Sequence, residues 1–276
     1  VPLPLSYLFV PGTRPDRFAK ALASGAGAVI IDLEDAVAPK DKVAARRAVI
    51  DWLAQQNHSP VEKGPAVYVR INDAGTPWYA EDLAALQAHA VHGLMLPKCE
   101  SASQITHCLA RFAQAPALIA IVESARGVQQ VDAIAVAPGL QRLAFGTLDY
   151  AVDLDLPPDS PGLAYAAARI AIASRAAGLA TPVAGVTPEL DTARVRADMH
   201  GARGFGFAAK LCIHPMQVAA VHDALQPTQA ELAWAQRVLA ATSGQSTAVQ
   251  VDGRMVDRPV VLQAQAILDR IPFHPD

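Results

Sequence analysis

Two acidic residues, Glu123 and Asp149, close two separate apolar runs, Leu118–Val122 and Leu143–Phe145. If those runs are neighbouring strands, the two carboxylates present hard oxygens to one point. Water and substrate then complete an octahedron, the style in which Mg2+ or Mn2+ is held. No histidine pair at i, i+4 and no cysteine cluster competes for a softer ion. The plain structural alternative is that each carboxylate caps a following helix, one from Ser124 onwards and one after Tyr150.

Arg70 ends a third apolar run, Val67-Tyr-Val-Arg-Ile-Asn72. A guanidinium there must meet an anion or a pocket, and its planar fork suits a substrate carboxylate or a developing enolate oxygen. An internal pair with Asp32 or Glu34 is the competing reading, and the two are compatible. Asp32, Glu34 and Asp35 are three acids in four residues behind the run Ala28–Leu33. They are assigned to supporting work, orienting Arg70 and metal-bound water, with solvated ion pairs to Lys40 and Lys42 as the alternative. Lys98 and Lys210 raise the possibility of a Schiff base, since burial can strip a lysine of its proton. The polar Cys99-Glu-Ser101 that follows Lys98 favours an ordinary ammonium. His214, within Cys-Ile-His-Pro, reads as a structural histidine or helix cap rather than a general base.

These residues share an address, and the address implies an architecture. Eight short apolar runs, each followed by helical sequence, fall at Leu5–Val10, Ala28–Leu33, Ala66–Ile71, Gly93–Leu96, Leu118–Val122, Leu143–Phe145, Thr181–Ala184 and Phe205–Ala208. Alternation of this kind implies parallel strands joined by helical crossovers. Eight such units close into an α/β fold, a (β/α)8 TIM barrel, with chemistry at the C-terminal ends of the strands. Charged residues cluster there: Arg14, Asp32, Arg70, Lys98, Glu123, Asp149, and Lys210 with His214 after the eighth strand.

The chain has 276 residues, 52% apolar and 18% charged, which allows one barrel of roughly 250 residues with an appendage. The division expected is a catalytic barrel over residues 1–226 and an extension over 227–276. The extension comprises a helix near Thr228–Ala241, a polar loop at Ser243–Ser246, Val249–Val251 leading into Asp252-Gly253, and a last helix from about Pro259. Roughly fifty residues cannot complete a core alone, so this segment must pack on the barrel or on another subunit, and the second is expected. Pro157-Pro158 and Asp159 to Gly162 read as a long loop over the barrel mouth.

A net charge of −3 with no basic block argues against nucleic acid. Ala164–Val186 is interrupted by Arg169, Arg175 and Pro182, so no membrane span is read. The first residues carry no export signal, which makes a cytoplasmic location the expectation. Cys99, Cys108 and Cys212, an odd number without CxxC spacing, read as buried thiols. No P-loop, GxSxG elbow or dinucleotide fingerprint is present.

The ordered segments Phe9-Val-Pro-Gly-Thr-Arg-Pro-Asp16, Asp32-Leu-Glu-Asp-Ala-Val37, Val69-Arg-Ile-Asn72, Thr76-Pro-Trp78, Leu96-Pro-Lys98, Val122-Glu-Ser124, Phe145-Gly-Thr-Leu-Asp149, Lys210-Leu-Cys-Ile-His-Pro215 and Asp252-Gly-Arg-Met-Val-Asp257 span nearly the whole chain. Together they resemble the citrate lyase β-subunit and malyl-CoA or citramalyl-CoA lyase family, relatives of the metal-dependent pyruvate aldolases. The resemblance implies a Mg2+-dependent carbon–carbon lyase acting on a hydroxyacyl thioester, the metal held at Glu123 and Asp149 and the substrate facing Arg70. It places the nucleotide end of coenzyme A near Phe9, Arg14 and Lys20. It makes Asp257 a catalytic acid that the extension carries to a neighbouring barrel, and implies a homotrimer or hexamer. Asp35 stands where the related pyruvate aldolases carry a histidine, which disfavours their route. Two alternatives stay open: a subunit of a citrate lyase complex acting on an acyl-carrier thioester, and an aldolase on free acids.

Overall fold

The computed structural model describes residues 3–56, 64–157, 160–242 and 249–270. The Ser243–Ser246 loop, and Pro158 and Asp159 of the mouth loop, lie outside the described residues. By compactness the chain falls into two units, Val1–Ala224 and Leu225–Asp276.

The first unit is a closed barrel of eight parallel strands in sequential order. Its elements are β1 Ser6–Pro11, α1 Phe18–Leu22, β2 Ala28–Asp32, α2 Lys42–Gln55, β3 Ala66–Arg70, α3 Trp78–Leu86, β4 Gly93–Leu96 and α4 Ala102–Leu109. They continue as β5 Ala117–Val122, α5 Ala125–Gln129, α6 Val131–Ala135, β6 Leu140–Phe145, α7 Thr147–Asp153, α8 Gly162–Ala176, β7 Val183–Ala184, α9 Thr192–Gly204, β8 Ala209–Cys212 and α10 Met216–Leu225. The strands are apolar on both faces because one faces the barrel interior and the other the helices. Interior side chains include Tyr7, Ala28, Ile30, Tyr68, Met95, Ile119, Ile121, Ala144, Val183 and Leu211, packed as one cluster. At the N-terminal end this cluster is closed by Arg142, which donates to the Pro4 and Thr181 carbonyls and to the Tyr7 hydroxyl.

Side chains alternate faces along a strand, so the interior row runs on in steps of two. Ala28 and Ile30 lead to Asp32, Tyr68 leads to Arg70, and Ile119 and Ile121 lead to Glu123. The same alternation that builds the apolar core therefore delivers the ionisable groups into the layer above it.

One strand lies elsewhere than the sequence suggests. The eighth is Ala209–Cys212, not Phe205–Ala208. The two phenylalanines imitate a β-run, but Gly206 has φ +101°, a left-handed conformation that ends α9 and breaks any strand through it. Lys210 consequently lies within β8 rather than after it. The seventh strand also contracts, to Val183–Ala184.

The second unit comprises α11 Gln229–Thr242, a two-stranded antiparallel ribbon of β9 Val249–Val251 and β10 Arg254–Val256, and α12 Arg258–Leu268. Asp252 and Gly253 turn the ribbon with φ +51° and +76°. Its small core joins Ala235, Val238, Val256, Ala264 and Ile267. Among the described residues no helix is long and apolar enough to cross a membrane.

Candidate active site

A cavity of about 360 Å3 opens at the C-terminal ends of the barrel strands, lined by Phe9, Asp32, Asp35, Arg70, Glu123 and Asp149 among others. Each reaches it by a different local device.

Glu123 follows β5 and is 4% exposed. One carboxylate oxygen, Oε1, accepts the backbone N–H of Lys98 at 2.7 Å. Lys98 can aim that amide because it takes φ +48°, a conformation uncommon outside glycine. Burial, and then the neighbouring charge of Asp149, push the Glu123 carboxyl up to about 8. Space for it is kept by Gly146, where a Cβ would run into the Glu123 carboxylate. Asp149 sits in the first turn of α7, beginning directly after β6.

Neither carboxylate is a helix cap. The cap of α5 is Ser124, whose hydroxyl accepts the Gly127 N–H at 3.1 Å, and α7 begins at Thr147, two residues before Asp149, with Gly146 as its cap. Two carboxylates turned to one cavity, one of them protonated more readily because of the other, form a pair of hard oxygen donors. A hard divalent cation fits that chemistry. Among the described residues no third His, Cys, Asp or Glu joins them, so further ligands would be water or substrate.

Arg70 is largely committed inside the protein. Its Nε and one terminal nitrogen clasp Asp32 at 2.7 Å each. The other terminal nitrogen reaches Glu34 at 3.0 Å and Asp35 at 3.6 Å. Its guanidinium lies 4.7 Å above the Phe9 ring. Burial opposes the charge, but Asp32, Glu34 and Asp35 reverse this and raise the pKa. A guanidinium has five N–H donors, so Arg70 lines the cavity as a fixed cation with donors to spare, while its two-pronged fork belongs to Asp32.

Asp32 also accepts the Glu34 and Ala36 backbone N–H groups at 2.9 and 3.0 Å. Glu34 bridges Arg70 and Lys98, the latter at 2.9 Å. Lys98 is therefore an ion-paired ammonium whose pKa Glu34 raises against the opposing pull of burial, which rules against a Schiff-base role. The alternative reading, solvated ion pairs of these acids with Lys42, does not hold either. Lys42 is buried and donates to the Leu33 and Glu34 carbonyls at 2.8 and 2.7 Å, its ammonium 5.3 Å from the Trp78 ring. Sequence types alone do not reveal this strut.

The remaining predicted residues of the barrel unit do not line the cavity. Arg14 is half-exposed and paired with Asp16 at 2.7 Å, and Lys20 is exposed on α1. Asp257 is the cap of α12 in the second unit, accepting the Val260 N–H at 3.3 Å. His214 accepts the Met216 N–H at the start of α10. Gln217, which the sequence reading passed over, pins the loop after β7 by donating to the Thr187 and Glu189 carbonyls. The three cysteines are buried and unpaired with one another.

A closed parallel barrel with buried acids and one fixed arginine at its C-terminal mouth defines a barrel enzyme of the type whose chemistry is carried on strand ends. Residues 5–215 match the HpcH/HpaI aldolase/citrate lyase family, and the chain belongs to it. It is 38% identical over 271 residues to a citrate lyase subunit beta-like protein of Mycobacterium tuberculosis, covering 96% of this chain and 94% of that one. A (3S)-malyl-CoA thioesterase of Cereibacter sphaeroides is 32% identical, with 95% and 93% covered. Among solved structures, Mycobacterium tuberculosis CitE in complex with magnesium, acetoacetate and coenzyme A superposes with a TM-score of 0.84. It is 36% identical, with 96% of this chain and 97% of that one covered.

Proposed function

We propose that the protein cleaves a carbon–carbon bond in a hydroxyacyl-CoA thioester of the malyl, citramalyl or citryl type, giving a keto acid and an acyl-CoA such as acetyl-CoA. The observation that carries this reading is the Glu123–Asp149 pair facing Arg70 across one cavity. It is supported by the magnesium and coenzyme A held by the CitE relative and by the malyl-CoA named for the Cereibacter relative.

Glu123 and Asp149 would hold Mg2+ or Mn2+. When bound, the cation supplies charge stabilisation for the substrate's hydroxyl and carboxylate oxygens. Arg70 adds a second, preorganised positive charge to oxygen that becomes negative as the bond breaks. The hydroxyl proton passes to water in the open cavity, the O–H electron pair forms the carbonyl of the keto acid, and the electrons of the broken carbon–carbon bond become a thioester enolate. Asp257, protonated when it acts, returns a proton to the enolate carbon. This assignment has a second subunit's extension bring Asp257 to the cavity, in a trimer or hexamer. Asp32, Glu34 and Lys42 keep Arg70 in place, and Phe9, Arg14 and Lys20 receive the nucleotide end of coenzyme A.

Purified protein offered L-malyl-CoA, citramalyl-CoA and citryl-CoA, with and without EDTA, tests this. Keto acid release that EDTA abolishes and Mg2+ restores is the expected result. Silence on all three from folded protein would move the substrate to an acyl-carrier thioester and defeat the coenzyme A reading.

A further inference from the structure

A second cavity in the barrel unit is larger than the one that holds the carboxylate pair. It has a volume of about 710 Å3 and lies between α7, α8 and α9, with the segment after β7 and Lys210 of β8 in its wall. Small and apolar side chains dominate its lining, among them Ala151, Leu163, Ala167, Ala202 and Phe207. Ligand pockets typically enclose roughly 300–1,000 Å3 with apolar walls and a few convergent polar groups, and this cavity meets both criteria.

Lys210 is the polar group that needs explaining. Its neighbours Ala209 and Leu211 point into the barrel core, so alternation turns Lys210 outward, into the layer between strands and helices. The residue is 3% exposed, and its ammonium donates to one described acceptor, the Gly185 carbonyl at 2.6 Å. An ammonium carries three donors, and a buried one with a single neutral partner is costly unless an anion completes it. Asp198, whose negative charge Lys210 feels, makes no described hydrogen bond to it. Asp198 is engaged by Arg194 Nε at 2.8 Å and by the Thr187 hydroxyl at 2.6 Å, while Glu189 sits exposed at the rim. Burial lowers the Lys210 pKa and outweighs the opposing charge of Asp198.

We propose that this cavity is a second ligand site that binds a free aliphatic carboxylate, its head on Lys210 Nζ and its chain along the apolar wall of α7, α8 and α9. The assignment does not depend on the lyase reading, whose substrates sit at the Glu123–Asp149 pair. The two cavities nevertheless share Thr147, Leu148 and Val186. An occupant here touches the turn that carries Asp149, and is placed to influence the neighbouring site.

The test is calorimetric titration of the full chain with octanoate, octanol and octanoyl-CoA. Octanoate is expected to bind saturably at one site, with octanol at least tenfold weaker because it lacks the charge. Lys210→Met should weaken octanoate at least tenfold. Gly201→Phe should do the same by filling the cavity, which Gly201 of α9 lines and where an added Cβ meets nothing within 4 Å. Should Lys210→Met fail to fold, the octanoate to octanol ratio and Gly201→Phe decide the matter. No saturable octanoate binding to folded wild type, or undiminished binding in the variants, would overturn the proposal. Binding of octanoyl-CoA but not octanoate would also overturn it, by giving the cavity to a thioester's acyl chain.

Discussion

Arg70 and Asp32 are direct partners across adjacent strands β3 and β2, and they form a two-pronged ion pair with both contacts at 2.7 Å. Because the Asp32 side chain is 1% exposed and that of Arg70 is 11% exposed, this pair is a fixed part of the barrel mouth. The cation that faces the cavity is thus set in place before any substrate arrives.

Removing one member should cost both stability and turnover. Asp32→Ala leaves a buried guanidinium without its main partner, an effect of about 3–5 kcal/mol in comparable buried pairs. Urea unfolding is the measurement. Arg70→Lys keeps the charge but loses the planar fork, so turnover should fall while the protein stays folded.

Glu123 gives a pH signature with a definite sign. Its folded pKa, about 8, lies above the ordinary 4.5, so in the metal-free protein the folded chain holds a proton that the unfolded chain has released. Stability from this group is full below about pH 4.5 and declines as pH rises towards 8. Metal-free wild type should therefore lose stability across that window relative to Glu123→Gln, and added Mg2+ should restore it. Parallel slopes for the two proteins would contradict the assignment.

Gly146 has a role that needs no charge. A Cβ there collides with the Glu123 carboxylate, so Gly146→Ala should displace one member of the donor pair. By analogy with other groups that orient metal ligands, a 10–100-fold loss in Mg2+ affinity is expected, read by titration calorimetry.

Asp257 caps α12, which confounds a simple deletion. Asp257→Ala should lose about 1 kcal/mol of local stability through the missing cap together with turnover. Asp257→Ser keeps a capping oxygen but has no acid to offer, and should retain thermal stability while turnover stays lost. Normal turnover in the serine variant would remove Asp257 from the chemistry.

Much of this was legible in the chain itself, for specific reasons. Six strands announce themselves as apolar runs, and in three of them, β2, β3 and β5, the interior row ends two steps later in a charged residue, so alternation locates Asp32, Arg70 and Glu123. The eighth strand was hidden because Phe205 and Phe207 imitate a β-run that Gly206 breaks, while the true strand carries Lys210 in its middle. Residue types showed that Arg70 needs anions but not that Asp32 takes both prongs. Lys42 was equally opaque: its partners are backbone carbonyls, which leave no mark in sequence. The larger cavity arises from three helices packed over small residues and exists only in the folded chain.

Product analysis with citramalyl-CoA separates carbon–carbon cleavage from thioester hydrolysis. Cleavage gives keto acid and acetyl-CoA in equal amounts with no free thiol, and that is the expected result. Equal amounts of free coenzyme A and intact hydroxy acid would show hydrolysis of the thioester instead, and would contradict it.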